Sequence, residues 1–226
     1  SLWNTDPFQP ELIDGRLFGR GSGDNKSGVV VHYNVIKQLI DELPVNIKVF
    51  IEGEEEIGSP TMALFIEQNR EALEADVIII ADSGNVKIGV PTITTTLRGL
   101  VDGIIEVDQP MRPIHSGVGG GVVPDAFMVL SRIISSFHDD KGNLMIEGLT
   151  STDMKVTELE ESFLKKMLGS DDIALFDTES ISKRLWLEPA LDVLAIDAPP
   201  VKEAVNLVIP KARAKVSLRL PPTEDP

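Results

Sequence analysis

Residues 46–59 read NIKVFIEGEEEIGS, and they decide how the rest of the chain is laid out. The first half is rich in β-branched and aromatic residues, Ile47, Val49, Phe50 and Ile51, which favour an extended, half-buried backbone. It runs without a linker into four carboxylates in five residues: Glu52, Glu54, Glu55 and Glu56. On a solvated loop such crowding costs little. At the carboxyl end of a buried strand it calls for a cation, or for at least one group to take up a proton. Strand carboxyl ends are also where α/β sheets place their ligands.

The same arrangement recurs on both sides. Downstream, residues 76–85 read DVIIIADSGN, a continuous apolar run of the kind found in buried parallel strands, ending on Asp82. Upstream, residues 19–28 read GRGSGDNKSG, a glycine-rich turn leading into a helix. This turn is not a phosphate loop, because Asn25 stands where Gly must precede Lys-Ser. Nor is it a dinucleotide fingerprint, because Asp24 stands where the third Gly belongs. A carboxylate at the tip repels phosphate and suits a cation. Taken singly, Asp24 reads as a helix N-cap, residues 52–58 as a solvated loop, and Asp82 as part of a turn. Taken together, the three acidic places fall at or beside the ends of apolar runs.

Between and beyond these places the pattern is mixed. Residues 16–19 suggest a short strand. Val29, Val30, Tyr33, Val35, Ile36 and Leu39 recur at helical spacing and predict a helix over 26–41. Ser59 as cap, with Pro60 at the first position, predicts a helix to about residue 75. Helix, strand, helix, strand in this order argues an α/β layered domain. Further on, residues 86–107 predict short β segments, 124–137 an amphipathic helix, 144–147 a strand, 156–168 a charged helix, and 190–196 and 212–220 strands. This second texture is α+β, with the boundary expected between residues 92 and 97. His115 stands in HSGVGGG (115–121), where glycines let a backbone approach a ligand closely. His32 and His138 have no such setting and read as helix and helix-end residues.

Composition narrows the function classes. The 226 residues suit one or two domains. The net charge of −15 argues against nucleic-acid and anionic-membrane partners, which need a basic footprint. No apolar run approaches the roughly 18 residues of a membrane span, and no secretory leader is visible. With no cysteine there is neither a disulfide nor a thiolate metal site, so any metal must be held by carboxylates and histidine. The expected location is the cytoplasm.

These residues resemble a known family. Trp3, Asp6-Pro7-Phe8, Pro10, DGRLFGRG (14–21) and DNKSG (24–28) look like the metal-binding segment of the co-catalytic zinc peptidases. That family includes the carnosine and non-specific dipeptidases, acetylornithine deacetylase, succinyl-diaminopimelate desuccinylase, aminoacylase and carboxypeptidase G. EGEEEIGS (52–59) resembles its paired-glutamate motif, and Asp82 its following ligand. IHSG (114–117) with Gly119 and Gly120 is similar to its lid-histidine motif, most like the dipeptidase branch. VIP (208–210) with SLRLP (217–221) resembles the end of its lid. Five motifs occur in order over essentially the whole chain.

The resemblance implies a zinc-aminopeptidase-like catalytic part over 1–94, an inserted α+β ferredoxin-like lid and dimerisation domain over 95–221, and the return to the catalytic part from 222 to 226. It implies two zinc ions, with manganese or cobalt also fitting. Asp24 would bridge them, Glu56 would bind one and Asp82 the other. Glu55 would be the general base, and His115 would stabilise the oxyanion, in the family often on behalf of the partner subunit. Arg219, with His115, Gly119 and Gly120, would bind substrate. The peptide between Asp24 and Asn25 would be cis. The implied reaction is hydrolysis of a peptide or amide bond in a small peptide or N-acyl amino acid by a zinc-activated water, in a homodimer. The alternatives are an N-acyl amino acid deacylase and an inactive dimerisation module.

The pattern departs from the family in two ways. The family's His-x-Asp pair before the first motif and its His near the far end have no counterpart here, which leaves each ion two protein ligands. This chain alone is therefore expected to bind metal weakly and to be inactive. In addition, Leu207 stands where dipeptidases often carry a polar residue.

Overall fold

The computed structural model describes residues 3–85, 87 and 89–224. The chain divides into two compact units between Thr92 and Ile93.

The first unit opens with a hairpin of β1 (Glu11–Ile13) and β2 (Arg16–Phe18), paired from Glu11↔Phe18 to Ile13↔Arg16. Asp14 (φ 49°) and Gly15 (φ 76°) turn it, the positive-φ pair that a two-residue hairpin demands. α1 (Lys26–Leu39) follows, capped by Asn25, whose side chain accepts from the Gly28 amide. The expectation of Asp24 as N-cap is thus off by one residue.

The two apolar runs that read as strands, residues 46–52 and 76–81 (the second as a buried parallel one), form no ladder among the described residues. A strand needs a neighbour to accept and donate its backbone hydrogen bonds. The side-chain pattern records burial on both faces without naming that neighbour. Ile78 and Ile80 are accordingly 79% and 78% exposed. Run 46–52 rests on the helices that follow: Lys48 Nζ donates to Glu74 O (2.6 Å), and Phe50 stacks on Phe65 with centroids 5.2 Å apart.

Those helices are α2 (Met62–Gln68) and α3 (Arg70–Leu73), broken at Asn69 rather than continuous to residue 75. Ser59 does not cap. It adopts φ 51° after Gly58 at φ 84°, and Glu54 instead accepts from the Thr61 amide (3.2 Å) and hydroxyl (2.6 Å).

The second unit is built on β3 (Gly99–Asp108), β4 (Ile114–His115), α4 (Ser116–Gly119), α5 (Ala126–Ser135), α6 (Glu161–Leu168), α7 (Ile181–Trp186), β5 (Ala190–Asp197), β6 (Leu207–Val208) and β7 (Lys211–Leu220). β7 is the centre of an antiparallel sheet in the order β3-β7-β5, and β4 pairs with β6 separately. One face of β7 presents Ala212, Ala214, Val216 and Leu220, all buried. α5 packs on it, so that Ala126 and Leu130 meet Ala212 and Ala214, flanked by Ile105, Val107, Phe127 and Ile134. Alanines on the strand let the helix come close. Asp125 starts α5 by accepting from the Met128 amide (3.0 Å).

Several expectations need correction here. The short β segments become one ten-residue strand, β3; the start expected at Val86 lies outside the described residues. The strand at 144–147 reduces to an isolated bridge, His138↔Leu144. The helix expected over 156–168 begins at Glu161, and α7 had no counterpart in the sequence reading. The main sheet of this unit has three strands among the described residues, where a ferredoxin-like lid would have four.

Candidate metal and proton-transfer site

The site in the first unit is assembled by the turn before α1. The Arg20 amide donates to Pro7 O (2.6 Å), the Lys26 amide to Gly21 O (2.8 Å), Lys26 Nζ to Arg20 O (3.1 Å) and Ser27 Oγ to Gly23 O (2.6 Å). These bonds close the loop and leave Asp24 at its exposed tip, followed by a cis peptide to Asn25.

Asn25 then ties the loop to the second acidic place. Its Nδ2 donates to Ala81 O (3.1 Å) while its Oδ1 accepts from Gly28 N (3.0 Å). Gly28 is buried here, and a β-carbon on it would collide with Ala81 O. Asp24 and Asp82 each adjoin one end of this link, so it holds the backbone at the two positions together.

The third acidic place is linked to them electrostatically. Glu55 and Glu56 open a short 3-10 turn, Glu55–Ile57. Partial loss of hydration, then the charges of Glu56, Asp82, Asp24 and Glu52, push the Glu55 carboxyl above the usual glutamate range. Glu55 is exposed, so the informative part is that list of four neighbours from three separate segments. Glu54 is taken out of the group by its bonds to Thr61.

Glu52, which the sequence reading did not single out as a site residue, belongs to the group. Its Oε1 is buried with no hydrogen-bond partner among the described residues. A buried carboxylate oxygen without a donor is costly, and a cation or a proton would relieve it. An all-carboxylate donor set also suits a divalent cation. Yet no three His, Asp or Glu side chains among the described residues come together closely enough to hold an ion. The described residues contribute donors without closing a coordination shell.

The remaining candidates lie in the second unit. His115 is exposed at the start of α4, and its Nδ1 accepts from the Gly117 amide (3.1 Å). In the neutral ring this leaves the proton on Nε2, which is then a free donor. Leu207 is its partner across β4–β6. At Gly119 and Gly120 the structure shows a local reason for glycine: a β-carbon would strike Ile114 Cγ2 (2.7 Å) at the first and Ser116 O at the second. Arg219 sits exposed on β7, opposite Leu100 and Ala190.

The chain resembles proteins of known family. The chain is 37% identical over 228 residues to the cysteinylglycine-S-conjugate dipeptidase of Corynebacterium striatum, covering 98% of this chain and 50% of that protein. It is 32% identical to the human Beta-Ala-His dipeptidase, covering 97% of this chain and 46% of that one. An M20 family metallo-carboxypeptidase from Sulfolobus solfataricus superposes with TM-score 0.79 at 30% identity, covering 99% of this chain and 54% of that structure. Human carnosine dipeptidase 1 superposes with TM-score 0.69 at 29% identity, covering 99% and 51%. The chain thus spans about half the length of the relatives it matches. Residues 1–220 match Peptidase family M20/M25/M40, and with relatives this similar over nearly its full length the chain belongs to that family and shares its α/β fold.

Proposed function

We propose that this chain carries part of the active site of a metal-dependent hydrolase that cleaves peptide or amide bonds in small substrates, dipeptides foremost. The observation that supports the reading is the unpartnered, buried Glu52 Oε1 beside a carboxyl, Glu55, that is raised by loss of hydration and then by the charges of Glu56, Asp82, Asp24 and Glu52. The dipeptidase names of its relatives support the substrate class.

In this reading Asp24, Glu56 and Asp82 would be the chain's share of the ligands to two zinc ions. Bound divalent ions would supply Lewis acidity, easing deprotonation of water and polarising the scissile carbonyl. Glu55 takes the proton from the attacking water and delivers it to the leaving amine; a raised pKa suits both steps. The Nε2 proton of His115 is the donor offered to the developing oxyanion, and Arg219 holds the substrate carboxylate. Residues 95–221 act as lid and dimerisation surface, and the protein works in the cytoplasm. A deacylase of N-acyl amino acids is the second reading, favoured by the apolar Leu207 beside His115.

The experiment is a comparison of Glu55→Gln with the parent in the protein that carries this chain. Hydrolysis of β-alanyl-histidine should fall by about 10²–10⁴-fold, the span of general-base catalysis, with metal content unchanged. Undiminished hydrolysis overturns the assignment, and hydrolysis of acyl amino acids but not dipeptides selects the second reading.

A further inference from the structure

β3 ends at Asp108 and α5 begins at Ala126, and the chain between them makes an excursion that carries His115. Gln109 is its first residue, and Pro124 is its last but one. The Gln109 side chain joins these two ends: Nε2 donates to Pro124 O (2.7 Å), 15 residues away in sequence. The Gln109 backbone amide donates to Pro210 O (2.9 Å). Both acceptors are prolines, which present a carbonyl but have no N–H to offer in return. Neither proline can close the gap with a donor of its own, and Gln109 supplies both.

Residues 206–210 also hold the middle of the excursion. β4 pairs with β6 at Ile114↔Val208 and His115↔Leu207, and the Ser116 amide donates to Asn206 O (2.9 Å). The far end is fastened to the same segment. The Ala126 amide donates to Ile209 O (3.0 Å), and the half-buried Asp125 carboxylate, besides capping α5, accepts from the Ile209 amide (3.4 Å). β4 itself is only two residues long, shorter than an ordinary strand. So short a ladder leaves the excursion free to tilt unless its ends are tied.

We propose that Gln109 is a positioning residue for His115: its side chain clasps the two ends of the excursion and so fixes where the imidazole stands, with Asp125 as the second tie. A donor to an oxyanion works only at hydrogen-bond distance from where the charge develops, and a misplacement of about 1 Å can cost on the order of 10²-fold in rate. The catalytic use of His115 rests on the hydrolase reading above; the clasp itself does not.

The test compares the parent with Gln109→Met, Gln109→Lys and Asp125→Asn in the protein that carries this chain. Met has nearly the length of Gln but no donor, Lys keeps a donor, and Asn still caps α5 with one acceptor oxygen where Asp has two. NMR of protein labelled at histidine Cε1, with His115→Gln assigning the signal, reads the ring directly. His115 should give one sharp signal in the parent and a broadened or doubled one in Gln109→Met, as a loosened loop exchanges between positions. With β-alanyl-histidine, kcat of Gln109→Met should fall roughly tenfold with KM nearly unchanged, the mark of an interaction made only in the transition state. Asp125→Asn should move both readouts the same way and less far, and Gln109→Lys should restore most of each. A parental His115 signal in Gln109→Met overturns the proposal, as does a parental kcat there when His115→Gln is slow. If His115→Gln is not slowed, the role of His115 in the hydrolase reading fails, and the NMR comparison alone decides the clasp. If Gln109→Met does not fold, Asp125→Asn decides on the same two readouts.

Discussion

Asn25 uses both ends of its amide, and no shorter side chain can. Serine at this position keeps an oxygen for the Gly28 amide but cannot reach Ala81 O, so Asn25→Ser separates the helix cap from the link between the acidic turns. Zinc affinity measured by calorimetry should fall roughly tenfold or more, the effect of losing a group that orients ligands, with the melting temperature little changed. Unchanged affinity would make Asn25 a cap and nothing more. A second prediction concerns Asp102, held below the usual aspartate range by its hydrogen bonds to Lys215 and Ser217. A depressed carboxyl stabilises the fold above its unfolded pKa of 3.8 and loses that contribution as pH falls through the folded value. The melting temperature of Asp102→Asn should therefore lie below the parent's at neutral pH and converge with it in strong acid; a constant gap contradicts the account. At this scale the sequence singled out Asp24, Glu55, Glu56 and Asp82 as candidates, because they stand at predicted strand ends or in the adjoining loops. It did not disclose Glu52 or Asn25. Glu52 looked like one more acid among four, and Asn25 was read only as the residue that spoils a phosphate loop, although an Asn three residues before a helical Gly is itself a cap signal.

Elements follow local chemistry where local chemistry is strong, and yield to distant partners where it is not. α1, α5, β5 and β7 sit close to where periodicity puts them, each with a clear alternation or cap. The helix expected from residue 156 loses its first turn to contacts 22–25 residues away. Ser182 Oγ donates to Thr157 O (2.9 Å) and accepts from the Leu159 amide (2.7 Å), while Ser180 Oγ donates to Glu158 (2.5 Å), which keeps residues 157–159 out of the helix. Nothing within that segment announces those serines. Leu130 on α5, 1% exposed against Ala212 and Ala214, is where the second unit is most sensitive. Leu130→Ala should cost about 2–5 kcal/mol in denaturant unfolding, the range for a buried leucine. A loss under 1 kcal/mol, the size of a surface change, would mean that the helix does not pack as described.

For the whole molecule, the acidic excess has two parts with different physics. Much of it is dispersed, and some is paired, as along the outer face of β7. The rest includes Glu56, Asp82, Asp24 and Glu52, whose charges each disfavour ionisation of Glu55. A cation would offset that repulsion, and membership of Peptidase family M20/M25/M40 points to a metal ion. The most direct measurement is a calorimetric zinc titration of this chain beside its Asp24→Asn, Glu56→Gln and Asp82→Asn variants. Saturable but weak binding, reduced in every variant, is the predicted result. Binding of equal strength in all four proteins, or none in the parent, contradicts the claim that these three acids are gathered to hold a metal ion.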